Sequence, residues 1–283
     1  MLGLGVGFFK LGCDFVEFSP LSLTCGGAVS DCEDCFDFPL WLRKGKGLTA
    51  TTDNSGSAVS RSNGEDGNAE ILDNDRIGLW EDRTNGFSLT QTAHADKPLY
   101  DTSVRGALQF RHDGSTASWM VIPADKQVVI GAGKNFSIFV QAKPSVFGGA
   151  LMGSSSTQFI KLVDANSMEI QFHGMGESQT ATREGSFTLN KVTNYIITRC
   201  EETTTIYVDL NSDDKALRDQ LVASLDETGG AFTINRIGAA ADDVLGWVGD
   251  IRHVAIWNCK CLDADERNMI YEWAERYSNT SDS

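Results

Sequence analysis

Apolar and polar positions alternate in short runs along most of this chain, and glycine, aspartate, asparagine or serine closes nearly every run. Runs of this kind, rich in β-branched and aromatic residues, predict strands over 107–110, 119–122, 136–141, 159–163, 168–172, 195–200, 204–210, 231–237 and 249–257. Such even spacing is that of an antiparallel β-sandwich. Two hairpins are expected directly, one turning at Asp164-Ala165-Asn166 and the other at Glu201-Glu202. In the last run Ile251 has odd parity while Val254 and Ile256 have even parity, so either both faces of that strand are covered or a bulge sits near Arg252-His253.

Helical spacing is rare. After the last strand Asp263 can cap a helix, with Glu266 three residues on, and a helix over 264–277 follows. Met269 with Trp273, and Ile270 with Tyr277, would share its apolar faces, while Glu272, Glu275 and Arg276 stay wet, so this helix packs on a sheet. Residues 213–222 also read as a helical turn or two, with Leu217, Leu221 and Leu225 as a stripe. The Ser-, Asn-, Asp- and Gly-rich segment 49–74 reads as an exposed loop or a hairpin insertion.

Residues 1–38 differ from the rest: apolar, glycine-spaced and too short to bury their own surface. Leu2, Leu4, Val6 and Phe8 alternate with glycines, which suits strand addition to a partner or, alternatively, the first strand of the domain's own sheet. As a docking arm it would present Leu2, Leu4, Val6, Phe8, Phe9, Phe15 and Phe18, leaving 39–283 as the sandwich domain.

The 283 residues suffice for one large all-β domain with an appendage. With 39 acidic against 24 basic residues the formal charge is -15, which repels phosphate backbones and argues against a nucleic-acid partner. No apolar run approaches the roughly 20 residues that cross a bilayer, so membrane insertion is not expected. The opening residues lack the charge order and cleavage site of a signal peptide, and synthesis and assembly in a cytoplasm are expected. Seven cysteines then read mainly as free thiols; Cys32 and Cys35, with Cys259 and Cys261, are the candidate zinc ligands. His94, His112, His173 and His253 lack metal-ligand spacing and read as structural or surface residues.

The closing sequence G-W-V-G-D-I-R-H-V-A-I-W-N (246–258) followed by L-D-A-D-E (262–266) resembles the last strand and helix of laminin-G-like, concanavalin-type jelly-roll domains. Upstream, Ile77 to Gly86, Lys97 to Tyr100, Leu108 to Phe110 and Phe136 to Val140 resemble earlier landmarks of such domains in the same order, so the resemblance spans roughly Leu40 to Tyr277. It implies an all-β antiparallel jelly-roll with an extended N-terminal arm and a short C-terminal helix. The opening M-L-G-L-G is similar to those of structural proteins of tailed bacteriophages, which implies a non-enzymatic virion protein, a capsid decoration or tail-fibre accessory, assembled in the host cytoplasm. Its partners would be other virion proteins and further copies of itself. The alternative is a host-surface glycan-binding adhesin; a glycan-active enzyme comes third.

Concanavalin-type hydrolases carry two carboxylates at i and i+4 on one strand. Here Glu169 is followed by Gln171 and then His173 where the second acid belongs, and no cofactor is expected. Calcium is the metal such folds carry, and Asp242 with Asp243, or Asp73 with Asp75, are its candidate ligands. Trp119 and Trp247 are the candidates for stacking on a sugar, while Trp80 and Trp257 read as core.

Overall fold

The computed structural model describes residues 40–62, 70–104, 106–113, 116–172, 178–201, 203–209, 219–226, 230–240 and 245–279. The expected docking arm, with Leu2, Leu4, Val6, Phe8, Phe9, Phe15 and Phe18, lies outside them.

In chain order the strands are β1 (Leu40–Leu42), β2 (Leu48–Thr52), β3 (Ala58–Ser62), β4 (Arg76–Glu81), β5 (Ser88–Thr90), β6 (Leu99–Asp101), β7 (Ala107–Phe110), β8 (Met120–Val121), β9 (Val128–Ile130) and β10 (Phe136–Pro144). They continue with β11 (Ala150–Ser155), β12 (Gln158–Leu162), β13 (Ser167–Gln171), β14 (Gln179–Thr182), β15 (Thr193–Cys200), β16 (Thr203–Asp209), β17 (Gln220–Asp226), β18 (Phe232–Ile234), β19 (Arg236–Ile237) and β20 (Gly249–Asn258), and the helix α1 (Ala264–Asn279) closes the series.

Strands β9 and β18 pair only with each other, and antiparallel pairing arranges the other strands into two layers. One runs β17-β16-β15-β10-β20, and the far edge of β20 is shared by β1 and β7, with β6 beyond. The other runs β14-β13-β12-β11-β19-β8-β5-β4-β2-β3. A single register pair, Arg76 with Leu99, joins β4 to β6. The core takes Ile138, Val140, Ile197 and Val254 from the first layer and Ile160, Leu162, Met168 and Ile237 from the second. Each such side chain contributes about 1.5–3 kcal/mol by leaving water.

The parity break in β20 has two causes. Gln141 pairs with His253 but Ala142 with Ile251, so Arg252 is a bulge residue. The outer face is also covered, because Ile270, Tyr271, Trp273 and Ala274 of α1 pack there on Trp41, Phe139, Ala255 and Trp257. Trp273 meets Trp41 and Phe139 edge-on, at 5.8 and 6.4 Å between ring centroids. Met269, expected on the apolar face, is 41% exposed because Ile270 and Tyr271 take the inward positions. At the start of β20, Gly249 has φ 134°, and a Cβ there would sit 2.1 Å from the Lys143 carbonyl oxygen, so the close approach to β10 requires glycine.

Two other expectations are corrected, and the two alternatives for 49–74 are narrowed. Leu221 and Leu225 belong to β17, whose pairing with β16 replaces the expected helix; residues 210–218 lie outside the described ones. Of the loop and the hairpin expected within 49–74, the described residues hold a hairpin: β2 and β3 pair antiparallel and are joined by a turn that the Asp53 carboxylate holds by accepting from the backbone N–H of Ser55 and Ser57, both at 2.9 Å. Cys200 and Cys261 are not free thiols but a disulfide with Cα atoms 5.3 Å apart, tying the end of β15 to the segment that leads into α1.

Candidate functional site

Two polar sites lie at opposite ends of β4, separated by the length of a six-residue strand, roughly 17 Å. Beyond its C-terminal end opens a groove of about 300 Å3, lined by Leu40, Asn85, Phe87, Asp125, Lys126, Gln127, Val128, Val129 and Asn258. Local sequence builds each wall. The buried Asp82 carboxylate accepts from the backbone N–H of Trp41 at 2.7 Å and of Asn85 at 2.6 Å, and Asp82 N–H donates to the Phe87 carbonyl at 2.7 Å. Gly86, at φ 68°, lets this turn close and present Asn85 and Phe87. The opposite wall is a short 3-10 turn over Ala124–Lys126 running into β9, and the Asn258 amide donates to the Val129 carbonyl at 3.3 Å. Amides and a carboxylate beside an aromatic ring suit a ligand with hydroxyl groups on one side and C–H groups on the other.

At the N-terminal end of β4 is a cluster of cations around the 93–97 turn. Arg76 is buried; its Nη1 donates to the His94 carbonyl at 3.2 Å, and its Nε meets no acceptor. Arg111, which follows β7, donates through Nη2 to the Ala95 carbonyl at 3.3 Å, and its Nε is likewise unmatched. Lys97 is 4% exposed, with Nζ 3.4 Å from the Thr52 hydroxyl, and His94 Nδ1 shares that hydroxyl at 3.1 Å. Burial lowers the pKa of Arg76, with Arg111 as the second cause, and lowers that of Lys97, with Arg76 as the second. His94 is lowered by burial and then by Arg76, Lys97 and Arg111, against a small opposing pull from Asp53.

The candidates from the sequence fare unevenly. Trp247 is fully buried and Trp119 7% exposed, so neither offers a ring face for stacking; Trp119 does border the cationic cluster, since its backbone N–H donates to the Asp96 carbonyl at 3.1 Å. Trp80 and Trp257 are core residues. Asp242, Asp243, Cys32, Cys35 and His173 lie outside the described residues. Cys261, a proposed zinc ligand, is held in the disulfide. Both oxygens of Asp75 accept from Arg61 at 2.7 Å, and Asp73 Oδ1 accepts from Thr102, which leaves that acidic pair engaged within the protein. Among the described residues no group of three or more His, Cys, Asp or Glu is placed to hold a metal ion. Glu169 is paired with Lys161 and hydrogen-bonded by Ser178. Among the described residues no helix is long and apolar enough to cross a membrane.

Both sites escape sequence reasoning for the same reason: their residues come from separate strands and turns, with no local spacing to mark them. A family model of the concanavalin A-like lectin/glucanases superfamily matches residues 113–266. No curated protein matches the chain in sequence. Among solved structures it is similar to the CBM40 of Ruminococcus gnavus IT-sialidase bound to α2,3-sialyllactose, with 13% identity over 50% of this chain and 83% of that one, at a TM-score of 0.38. A Trypanosoma rangeli sialidase in complex with 2,3-difluorosialic acid is similar over 77% of this chain and 36% of its own, with 13% identity and a TM-score of 0.45. The heptameric SAP-like pentraxin of Limulus polyphemus shares 10% identity over 58% of this chain and 80% of its own, at a TM-score of 0.42.

Proposed function

Because the chain belongs to the concanavalin A-like lectin/glucanases superfamily, we propose that it is a carbohydrate-binding protein that seats a saccharide in the groove between the β4–β5 turn and β9. The observation that carries this reading is the groove's lining, which brings Asn85, Gln127 and Asn258 together with Phe87 in a volume at the lower limit of small-ligand sites. Amides donate and accept at once, which matches hydroxyl groups that do the same, and the ring covers the C–H face of a pyranose. Binding rather than hydrolysis is favoured because Asp125 is the one carboxylate of that lining, whereas glycoside hydrolysis uses a pair.

Of the two roles expected from the sequence, the family description supports glycan binding. Attachment to a virion through an N-terminal arm draws support from the sequence resemblance alone. The Cys200–Cys261 disulfide suits work in an oxidising setting, such as the glycan-coated outside of a cell. A glycan array probed with the full chain tests the reading: a set of related saccharides should bind, and binding should fall when Asn258→Ala or Phe87→Ala is introduced. An array with no positive saccharide overturns it.

A further inference from the structure

Three cations are gathered where no carboxylate among the described residues pairs with them. Arg76, Lys97 and Arg111 make no ion pair with any described residue; their hydrogen-bond partners are two carbonyl oxygens and one hydroxyl. Two of the three, Arg76 and Lys97, are more than nine-tenths buried. An arginine buried this deeply ordinarily satisfies its donors, as Arg199 does here by donating to the carbonyls of Lys134, Gly131 and Gly230 at 2.7, 2.7 and 3.0 Å. Arg76 and Arg111 instead each leave Nε without an acceptor. Like charges brought together out of water repel one another, and the repulsion costs stability unless something negative joins them.

We infer that the cluster of Arg76, His94, Lys97 and Arg111 is a second binding site, one for an oxyanion, and that its ligand is the carboxylate or sulfate group of an acidic saccharide. Guanidinium groups match planar and tetrahedral oxyanions through paired N–H donors, and Lys97 adds a point charge beside them. His94, half-buried, stands against the 53–57 turn: a Cβ on Gly56 would lie 3.5 Å from its Nε2. The overall charge of -15 makes this cluster an exception to the chain's own field, so an anionic sugar would be repelled from most of the surface and held here. The oxyanion follows from the cations alone; that a saccharide carries it rests on the carbohydrate-binding reading.

The test titrates the full chain by calorimetry with a galacturonate oligomer, a sulfated oligosaccharide, a neutral galactose oligomer and inorganic sulfate. Arg111→Gln and Lys97→Met remove one charge each at different depths, so that failure of one to fold leaves the other. Both acidic saccharides, or one of them, should bind more tightly than the neutral oligomer, weaken with added salt, and lose at least tenfold in either variant, since a charge-assisted hydrogen bond contributes that much. Asn258→Ala, in the groove, should leave the anion contribution in place. Equal affinity for neutral and acidic oligomers, unchanged in both variants, overturns the anion site and leaves the carbohydrate-binding reading intact. Binding of sulfate that Arg111→Gln abolishes, with no saccharide bound, upholds the anion site and overturns the carbohydrate reading.

Discussion

Arg267 of α1 grips the Asp219 carboxylate with two parallel hydrogen bonds, Nε to Oδ1 and Nη2 to Oδ2, both 2.7 Å long. The same guanidinium lies 3.7 Å from the centroid of the Tyr207 ring and donates through Nη1 to the Leu262 carbonyl at 2.9 Å. One side chain therefore ties the helix to the strand layer beneath it. Asp219 neighbours β17, so the contact also fixes how that edge strand meets the helix. Removing one partner strands the other in a poorly hydrated site; Arg267→Ala should cost about 2–4 kcal/mol, read as a lower urea midpoint with an unchanged m-value.

The start of α1 is a reciprocal capping box. Glu266 N–H donates to Asp263 Oδ1 at 2.9 Å, and Asp263 N–H donates to Glu266 Oε2 at 3.0 Å. Asp263→Ala should destabilise the protein by about 1 kcal/mol, and Asp263→Asn should recover most of that, by thermal denaturation followed at the same pH.

What could be read from the sequence was local. The Asp263–Glu266 pair and the hairpin turns after β12 and β15 are set by neighbours a few residues away, and the bulge at Arg252, made in the pairing with β10, is legible as a break in the apolar parity of β20. Leu221 and Leu225 misled because four-residue spacing serves a helix face and also a strand in which Val222 is an extra, unpaired residue opposite Ile206 and Tyr207. Polar composition left 49–74 open between a loop and a hairpin, because Thr49, Thr51 and Thr52 suit a strand but no composition reveals the pairing across Asp53. Met269 lost the apolar face to its neighbour Tyr271, a choice made by tertiary packing. The groove joins residues from Leu40 to Asn258, and the cationic cluster joins Arg76, Lys97 and Arg111 across two strands and a turn, so neither has a pattern that a linear reading could find.

His253 gives stability a pH dependence. It is fully buried; Lys44 N–H donates to its Nδ1 at 3.3 Å, so the ring is neutral, and its edge lies against Trp273 with centroids 4.8 Å apart. Burial, then Lys44, Arg43 and Arg252, holds its pKa well below the ordinary 6.5. The unfolded chain takes up a proton near pH 6.5 while the folded one does not, so this contribution is fully present above pH 6.5 and is lost as pH falls towards the folded value. The slope is up to about 1.4 kcal/mol per pH unit. Melting curves between pH 7.5 and 5.5 should show that loss, and His253→Asn should flatten it; equal slopes in the two proteins would contradict the assignment.

The Cys200–Cys261 disulfide spans 61 residues. Cross-linking a loop of that length restricts the unfolded chain, and Cys200→Ser should lower stability by about 2–4 kcal/mol. Because Cys259 is disulfide-bonded as well, reductant should lower the melting temperature of the native protein by more than that of the variant.

The measurement that tests carbohydrate binding most directly is a heteronuclear NMR titration of the full chain with a neutral saccharide that is positive on the array. Saturable shifts confined to Asn85, Phe87, Gln127, Val129 and Asn258, with the amides of residues 94–97 unmoved, are the predicted result. Saturable shifts that avoid these groove residues, or none at millimolar saccharide, would contradict it.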